Sequence, residues 1–253
     1  MVHKLLLNLL SAPAFFVILL LLIRAAIFCP LERMFPAGEV AYRTVWLRDL
    51  GAWTFAIFAI VPVANIIDRL IVIRPTFPSA VLALPFAVRF LLFLLVTDFF
   101  LYAAHRLMHT RPVWRIHKWH HSPTYMYWLA GTRGSVLQVG LTSYSAFCAD
   151  GLLFDAAVGP LAAFVLTFNA LRNDWAHLNV RFGNKWLEWF VVTPRYHRIH
   201  HSDDPAHYKK NLAGTFPVFD RLFGTYFDPG TVPTISKFGI NEPVRPARMA
   251  LGI

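Results

Sequence analysis

Cysteine is nearly absent from this chain of 253 residues, which has only Cys29 and Cys148. Both lie in apolar runs, so the sequence contains neither a disulfide framework nor a CxxC motif for a metal or redox site. It also lacks a GxGxxG turn placed between a strand and a helix, a haem attachment motif and a cysteine set for an iron–sulfur cluster. The chain therefore has no recognisable site for an electron-transfer cofactor.

Charged residues are also scarce, at 15% of the chain, whereas 57% of the residues are hydrophobic. Soluble domains contain about 25% charged residues, so this composition predicts an integral membrane protein. The 24 basic residues outnumber the 14 acidic ones, which gives a formal net charge of +10. These basic residues are dispersed among apolar runs and loops without a nucleic-acid-binding motif, and no nucleic-acid partner is predicted.

Long apolar runs predict the transmembrane helices, since a bilayer core about 30 Å thick needs about 20 mainly apolar residues per helix. The runs cover about residues 5–29, 51–67, 80–107 and 135–171. The last run is long enough for two shorter spans, with Asp150 and Gly151 at the turn. A cleaved signal peptide is the alternative for the first run, but the run is too long and no cleavage site of small residues follows it. An uncleaved first helix is therefore expected.

The distribution of Lys and Arg predicts the orientation, because these residues accumulate in cytoplasmic loops. The loops after the first and third runs are both basic and fall on the same side of the membrane. From Arg172 onward there are eleven basic residues in 82 and no further span. We expect one domain over 1–253, with a transmembrane base at about 1–172 and a cytoplasmic helical cap at about 173–253. The charge of the cap would also suit anionic lipid headgroups or an acidic redox partner.

Histidine is abundant where the other functional residue types are scarce, and the eleven histidines form dense groups. "HRLMH" ends the third run and places His105 and His109 four apart on one helical face. "HKWHH" lies between Pro112 and Pro123, which favours a short interfacial helix. On such a helix His117, His120 and His121 share an arc of about 100°. His120 and His121 flank that arc from its two sides, so the neighbours can point at two different metal ions.

A single histidine at an apolar boundary is most often a hydrogen-bonded interfacial residue, which is our interpretation of His3 and His207. The dense groups differ, because unpaired imidazoles so close together would lower one another's pKa and destabilise the cap. A metal ion reverses this effect by coordinating the neutral rings. Ionisable residues at the membrane edge are also energetically costly and usually functional. The histidine groups are therefore predicted to bind metal.

The order of the histidine motifs resembles one family closely. "HRLMH", seven residues, "HKWHH", a gap of 75 residues and "HRIHH" are similar to the motifs of the fatty acid hydroxylase and sterol desaturase superfamily of membrane di-iron enzymes. "WAHLNVRFG" and "TPRYHRIHHS" followed by "KKNLAGTFPVFDRLFGTYFDP" extend the resemblance over about 98–229. The chain departs from the family pattern at "NLAG" and at His207, neither of which touches the motifs.

This resemblance implies an all-α membrane protein with about four transmembrane helices and a cytoplasmic cap that holds two iron ions. Transferred residue by residue, the implied metal ligands are His105, His109, His117, His120, His121, His177, His197, His200 and His201. Asp98 shares a helical stripe with His105 and can orient the histidines, or it can bond to another span. Asp174 and Asn173 can support His177 or cap the preceding helix. We also expect Asp220 and Arg221 to pin the cap, and Tyr125, Tyr127 and Trp128 to form an interfacial belt.

The implied reaction uses O₂ as a co-substrate to hydroxylate or desaturate an unactivated C–H position of a membrane lipid, such as a sterol, a fatty acyl lipid or an ether lipid. Electrons would come from a separate donor protein. Imidazole also suits zinc and copper, so the residues alone do not choose the metal. A zinc-dependent membrane hydrolase would need fewer ligands, an open site and a carboxylate base. A membrane metal transporter would place its ligands near the bilayer midplane.

Overall fold

The fold is helical throughout the part of the chain that the computed structural model describes, which comprises residues 12–60, 62, 76–153, 158–235 and 237–253. The helices are α1 (Ala12–Met34), α2 (Tyr42–Phe55), α3 (Ser79–Leu82), α4 (Phe86–Met108), α5 (Trp114–His117), α6 (Val136–Phe147), α7 (Val158–His177), α8 (Pro194–His200), α9 (Val218–Leu222) and α10 (Pro246–Leu251). A π-helical turn, Ala56–Ile60, continues α2. No strand occurs within these ranges, where only two isolated β-bridges pair residues.

Two of these helices, α1 over Phe15–Met34 and α4, are long and apolar enough to cross a membrane. They correspond to the first and third apolar runs. Most of the second run, at 61 and 63–75, lies outside the described residues. The last run forms α6 and α7, with a 3₁₀ turn at Asp150–Leu152 between them where the sequence predicts the break.

The short helix predicted for "HKWHH" is only partly formed, because α5 ends at His117. The backbone N–H groups of His120 and His121 nevertheless both donate to the carbonyl of His117, at 2.9 and 3.4 Å. The chain therefore continues one more hydrogen-bonded turn, and the three histidines keep a helical spacing although the regular helix has ended.

The cap packs on the end of α4 through a buried cluster in which Tyr102 contacts α8, α9 and the segment 212–213. Thr193 caps the start of α8 by accepting from the backbone N–H of Tyr196, and Pro194 occupies the first turn. Both features favour a helix start at this point. The apolar contacts and the cap together fix the helix that carries the last histidine motif.

A second buried cluster joins α1 and α2 to the segment 127–130. Tyr127 and Trp128 are fully part of this cluster, so the predicted interfacial belt is wrong for these two residues. The hydroxyl of Tyr127 donates to Asp49 at 2.9 Å, and the backbone N–H of Trp128 donates to Glu32 at 2.8 Å. Buried carboxylates satisfy their polar groups, which allows both rings to lie in the core.

Buried ion pairs also connect the long helices. Arg24 of α1 binds Asp174 of α7, Arg133 binds Asp49 of α2, and Arg172 of α7 lies 3.5 Å from Asp98 of α4. Removal of one member of such a pair would leave an uncompensated buried charge. These contacts therefore hold α4 and α7, the two helices that carry His105, His109 and His177, in a fixed arrangement with α1 and α2.

Candidate metal centre

Nine histidines converge at the junction of α4, α5, α7 and α8. They form two groups, within each of which the ligand nitrogens all lie within 4.8 Å of one another. The five-histidine group consists of His105, His109, His117, His121 and His200, and the four-histidine group consists of His120, His177, His197 and His201. The groups adjoin, since the rings of His121 and His201 stack at 4.3 Å between centroids. Each group has the size of a site for one metal ion.

Consecutive histidines are divided between the groups. His120 and His121 point into different groups, which is the divergence that their spacing predicts, and His200 and His201 do the same. One residue advances the chain by about 100° around a helical turn, so neighbouring side chains diverge. Histidines four apart, such as His197 and His201, instead share a group because they lie on one helical face.

The outer nitrogens of five histidine rings bind oxygen atoms that can only accept a hydrogen bond. The Nδ1–H groups of His105 and His177 donate to the carbonyls of Leu212 and Asn173, each at 2.7 Å. The same nitrogens of His200, His120 and His117 donate to Lys210 O at 3.0 Å, Arg133 O at 3.3 Å and Gln138 Oε1 at 3.1 Å. The proton is thus assigned to Nδ1, and the lone pair of Nε2 faces the centre of the group.

The inner nitrogens lie closer together than neutral imidazoles tolerate without a cation. Nε2 of His105 is 3.0 Å from Nε2 of His117, and both are lone-pair atoms that cannot hydrogen bond to each other. His177 and His201 approach at 3.1 Å through the same atoms. Two imidazole nitrogens at right angles on one ion, each about 2.1 Å from it, are about 3.0 Å apart. The donor set therefore fits a bound metal ion in each group.

Burial keeps these ligands in the neutral form. Removal from water lowers the pKa of seven cap histidines well below the ordinary value, and neighbouring histidines lower it further; these are His109, His117, His120, His121, His197, His200 and His201. The Nε2 atoms of His109 and His200 are buried without a hydrogen-bond partner. A neutral ring with an unused lone pair is the state that a metal ion requires.

The three residues predicted to support the histidines are placed differently. Asn173 reaches His177 through its backbone carbonyl. Asp98 accepts from the backbone N–H of Phe216 at 2.8 Å, and Asp174 binds Arg24, so each carboxylate joins structural elements to each other. Asp98 lies about 10 Å along α4 from His105, because seven residues of helix separate them. The structure therefore gives the direct support of the rings to backbone carbonyls.

One supporting segment, residues 209–213, has no obvious motif in the sequence. Lys209 and Asn211 have positive φ angles of 59° and 53°, a conformation that Asn tolerates better than most residues. This backbone turns the carbonyls of Lys210 and Leu212 toward His200 and His105. Asp220 holds the segment by accepting from the N–H groups of Leu212 and Ala213, each at 2.8 Å. Its predicted role in pinning the cap is thereby confirmed.

Gly131 is required by the close approach of α7. A Cβ atom at this position would lie 2.5 Å from Nδ1 of His177 and 2.5 Å from Nδ2 of Asn173. Neither distance is compatible with a side chain, so glycine alone permits this packing against the ligand. The other predicted structural residue, Arg221, lies between the rings of Trp189 and Tyr226, 3.7 Å from each centroid.

Access to the two groups is unequal. A cavity of about 370 Å³ is lined by His109, His121 and His200 of the five-histidine group, together with Trp114, Tyr208 and Ile240. A second cavity of about 430 Å³ also reaches His109. The four-histidine group lines neither cavity. A molecule that enters from this side therefore meets the five-histidine group.

The fold and the site together define a helical protein with a nine-histidine centre suited to two metal ions. The family model named Fatty acid hydroxylase matches residues 90–225, which is more than half of the chain and includes all nine histidines. The chain therefore belongs to the fatty acid hydroxylase family, as its motifs indicate.

Curated relatives of the chain oxidise lipids by their names. Alkylglycerol monooxygenase of Xenopus tropicalis is 31% identical over 154 residues, which cover 58% of this chain and 32% of that protein. The human alkylglycerol monooxygenase is 34% identical, with 51% of this chain and 28% of that protein covered. Ornithine lipid hydroxylase OlsE of Rhizobium tropici is 30% identical, with 63% and 48% covered. The chain thus spans about a third to a half of these relatives. No solved structure matches it significantly.

Proposed function

We propose that the protein is an O₂-dependent di-iron membrane oxidoreductase that hydroxylates or desaturates an unactivated C–H position of a lipid. The observation that carries this proposal is the convergence of nine neutral histidines into two groups in a chain of the fatty acid hydroxylase family. The names of the monooxygenase and hydroxylase relatives favour insertion of oxygen over desaturation. A sterol, a fatty acyl lipid or an ether lipid would suit the site.

In this proposal all nine histidines are metal ligands, and each group holds one iron ion. The iron pair would supply the activation of O₂. The protein's own contribution is to hold the rings, because five Nδ1–H groups are fixed by acceptors and every Nε2 is directed inward. The C–H bond would enter through the cavity beside His109, His121 and His200, and the buried four-histidine group would stay away from water.

We further propose that the chain is a single multi-pass domain, with the transmembrane base at about 1–172, about four spans, and the histidine motifs on the cytoplasmic side with the cap at about 173–253. The exposed apolar side chains of α1 support a lipid environment. Phe16 is 70% exposed and Leu22 is 59% exposed, which is unfavourable in water but favourable against acyl chains. The basic loops beside the cap support the cytoplasmic orientation.

A separate protein would deliver the electrons, because the sequence carries no recognisable flavin, haem or iron–sulfur site. We propose that this donor is acidic and binds the basic cap. Attraction between opposite charges on a surface weakens as salt is added. Reduction of the enzyme by its donor should therefore slow with rising ionic strength, and a rate that is independent of salt would contradict this part of the proposal.

Metal analysis of the purified protein tests the central proposal. Iron that is reduced anaerobically and then consumes O₂ would support it. A zinc-dependent hydrolase predicts tightly bound zinc and no response to O₂, and a metal transporter predicts weakly held, exchangeable metal. Among the described residues both groups contain only histidine, whereas a zinc hydrolase would place a carboxylate base beside its ligands.

Lipid analysis identifies the reaction. Lipids of cells with and without the gene should differ by a mass of one oxygen atom for hydroxylation or of two hydrogen atoms for desaturation. A variant lacking one metal ligand, expressed at the same level, is the matched control. If neither mass change depends on the ligand, the protein does not oxidise lipids in those cells.

A further inference from the structure

A groove beside the five-histidine group collects positive charge that no acid balances. The groove is the cavity of about 430 Å³, and its wall includes Arg106, His109, Tyr208, Lys209, Lys210 and Thr225. No carboxylate lines it. Three basic side chains therefore face one enclosed space, where they repel one another more strongly than they would on an open surface.

The neighbouring cavity shows the contrast. The two carboxylates on its wall, Asp203 and Glu242, bind Lys237 at 2.6 Å and Lys118 at 3.0 Å. In the groove, Arg106 donates only to neutral oxygens, those of Tyr102 and Phe223, each at 3.1 Å. Neither Lys209 nor Lys210 forms an ion pair with any part of the chain that the structure describes. The groove thus retains three uncompensated cations, and an anion would relieve their repulsion.

The position of the groove favours a lipid headgroup as the source of that anion. Arg106 belongs to the last turn of α4, one of the two helices long enough to span a membrane. Leu107 beside it is 49% exposed, and Phe223, whose carbonyl Arg106 binds, is 44% exposed. Apolar surface for a hydrocarbon chain therefore adjoins the cationic groove, and His109 connects the groove to the five-histidine group.

We propose that this groove binds the anionic phosphate or carboxylate of a lipid headgroup and holds that lipid beside the five-histidine group. This inference rests on the proposed function, since it assigns the substrate to anionic lipids. Basic side chains and phosphate or carboxylate oxygens form charge-assisted hydrogen bonds, which are stronger than neutral ones. The groove thereby distinguishes an anionic headgroup from a neutral or zwitterionic one.

A binding experiment on the full chain in non-ionic detergent tests this inference without turnover. The probes are dihexanoylphosphatidylglycerol and dihexanoylphosphatidylcholine, which have identical chains but net charges of −1 and zero. Calorimetric titration should give tighter binding of the glycerol lipid. The double variant Lys209→Gln, Lys210→Gln should weaken that binding about tenfold, because a hydrogen bond between charged groups contributes at least this much.

Matched arms separate the explanations. Lys185→Gln makes the same change at an exposed lysine of the cap outside the groove and should leave binding unchanged. Equal affinity for the two lipids, or an equal loss in Lys185→Gln, would overturn the proposal. Inorganic phosphate that binds as tightly as the glycerol lipid would overturn the assignment to lipid and indicate a free anion.

Two controls keep the test decisive. The melting temperature and the metal content of the double variant should equal those of the unmodified protein, because Lys210 supports His200 through its backbone carbonyl only. If they differ, the single variant Lys209→Gln provides the comparison, with retained binding as the contradicting result. Preferential binding without any lipid oxidation would leave this inference intact and remove the proposed function. Lipid oxidation without preferential binding would do the reverse.

Discussion

His120 and its neighbour His121 differ in the group that they serve, and this makes His120 the sharpest single test of the centre. His120→Ala removes one of four nitrogens from the four-histidine group and none from the other. We expect iron content to fall from two ions to about one and turnover to be lost, because loss of a ligand weakens metal binding strongly. Metal analysis and the activity assay measure both effects.

His207→Ala is the matched control for this variant. His207 is buried, accepts or donates at Ser202 Oγ at 2.9 Å, and belongs to neither group. Its removal should leave the metal content unchanged, which would answer the question that the sequence leaves open for this residue. An equal loss of iron in both variants would indicate general destabilisation of the cap in place of ligand loss.

Gly131→Ala tests the packing behind a ligand. The added methyl group would overlap Nδ1 of His177, and overpacking of this kind destabilises a fold by about 1–3 kcal/mol. We expect weaker retention of metal and a lower melting temperature. Gly140→Ala is the control, since nothing lies within 4 Å of its Cβ position in α6, and alanine there should stabilise the helix by about 0.5–1 kcal/mol. Unchanged metal retention in Gly131→Ala would contradict the structural assignment.

Residue chemistry explains why the candidate ligands could be predicted from the sequence while their supports could not. A dense group of histidines carries its own signal, because few other functions need so many imidazoles. The acceptors of Leu212, Lys210 and Arg133 are backbone carbonyls, which every residue possesses. Sequence favours a carboxylate such as Asp98 as the support, whereas Asp98 binds Phe216 in the structure. Only the fold shows which carbonyl faces a ring.

Among the elements, the segment 209–213 determines how two ligands are oriented, and Asp220 determines how that segment is held. The carboxylate of Asp220 accepts from two backbone N–H groups and from the hydroxyls of Thr225 and Tyr196. Asp220→Asn would place an NH₂ group against some of these donors. We expect a loss of about 3 kcal/mol in the free energy of unfolding, since each unsatisfied buried donor costs about 1–3 kcal/mol.

Asp228→Asn is the matched substitution at an exposed position. Asp228 Oδ1 accepts only from the N–H of Gly230, and asparagine caps such a turn equally well. Chemical denaturation should therefore show little change for this variant and a clear loss for Asp220→Asn. Similar stability of the two variants would contradict the role given to Asp220.

Element boundaries were less predictable than element existence. The apolar runs identify α1 and α4, because a span of hydrophobic residues is a signal averaged over many positions. α2 begins at Tyr42, well before the second apolar run, since charged residues such as Asp49 are accommodated there by the buried partner Arg133. A pairing between distant residues is not visible in a local hydropathy pattern.

At the scale of the whole molecule, the seven cap histidines with lowered pKa couple stability to pH. In the unfolded chain their pKa is about 6.5, while in the folded protein it lies well below this value. Above pH 6.5 both states are neutral and stability is fully present. As pH falls below 6.5 the unfolded chain binds protons that the folded protein does not, so the metal-free protein loses stability by up to about 1.4 kcal/mol per pH unit for each histidine.

The melting temperature of the metal-free protein should therefore drop steeply between pH 7 and pH 5.5. Metal-loaded protein should resist the drop until protons displace the ions, because coordination holds the rings in the neutral form. His120→Ala removes one of the seven groups, and the slope of unfolding free energy against pH should become shallower by about one proton's worth. A melting temperature of the metal-free protein that stays constant over this range would show that the histidines are not held neutral by burial, and the electrostatic account of the centre would then be wrong.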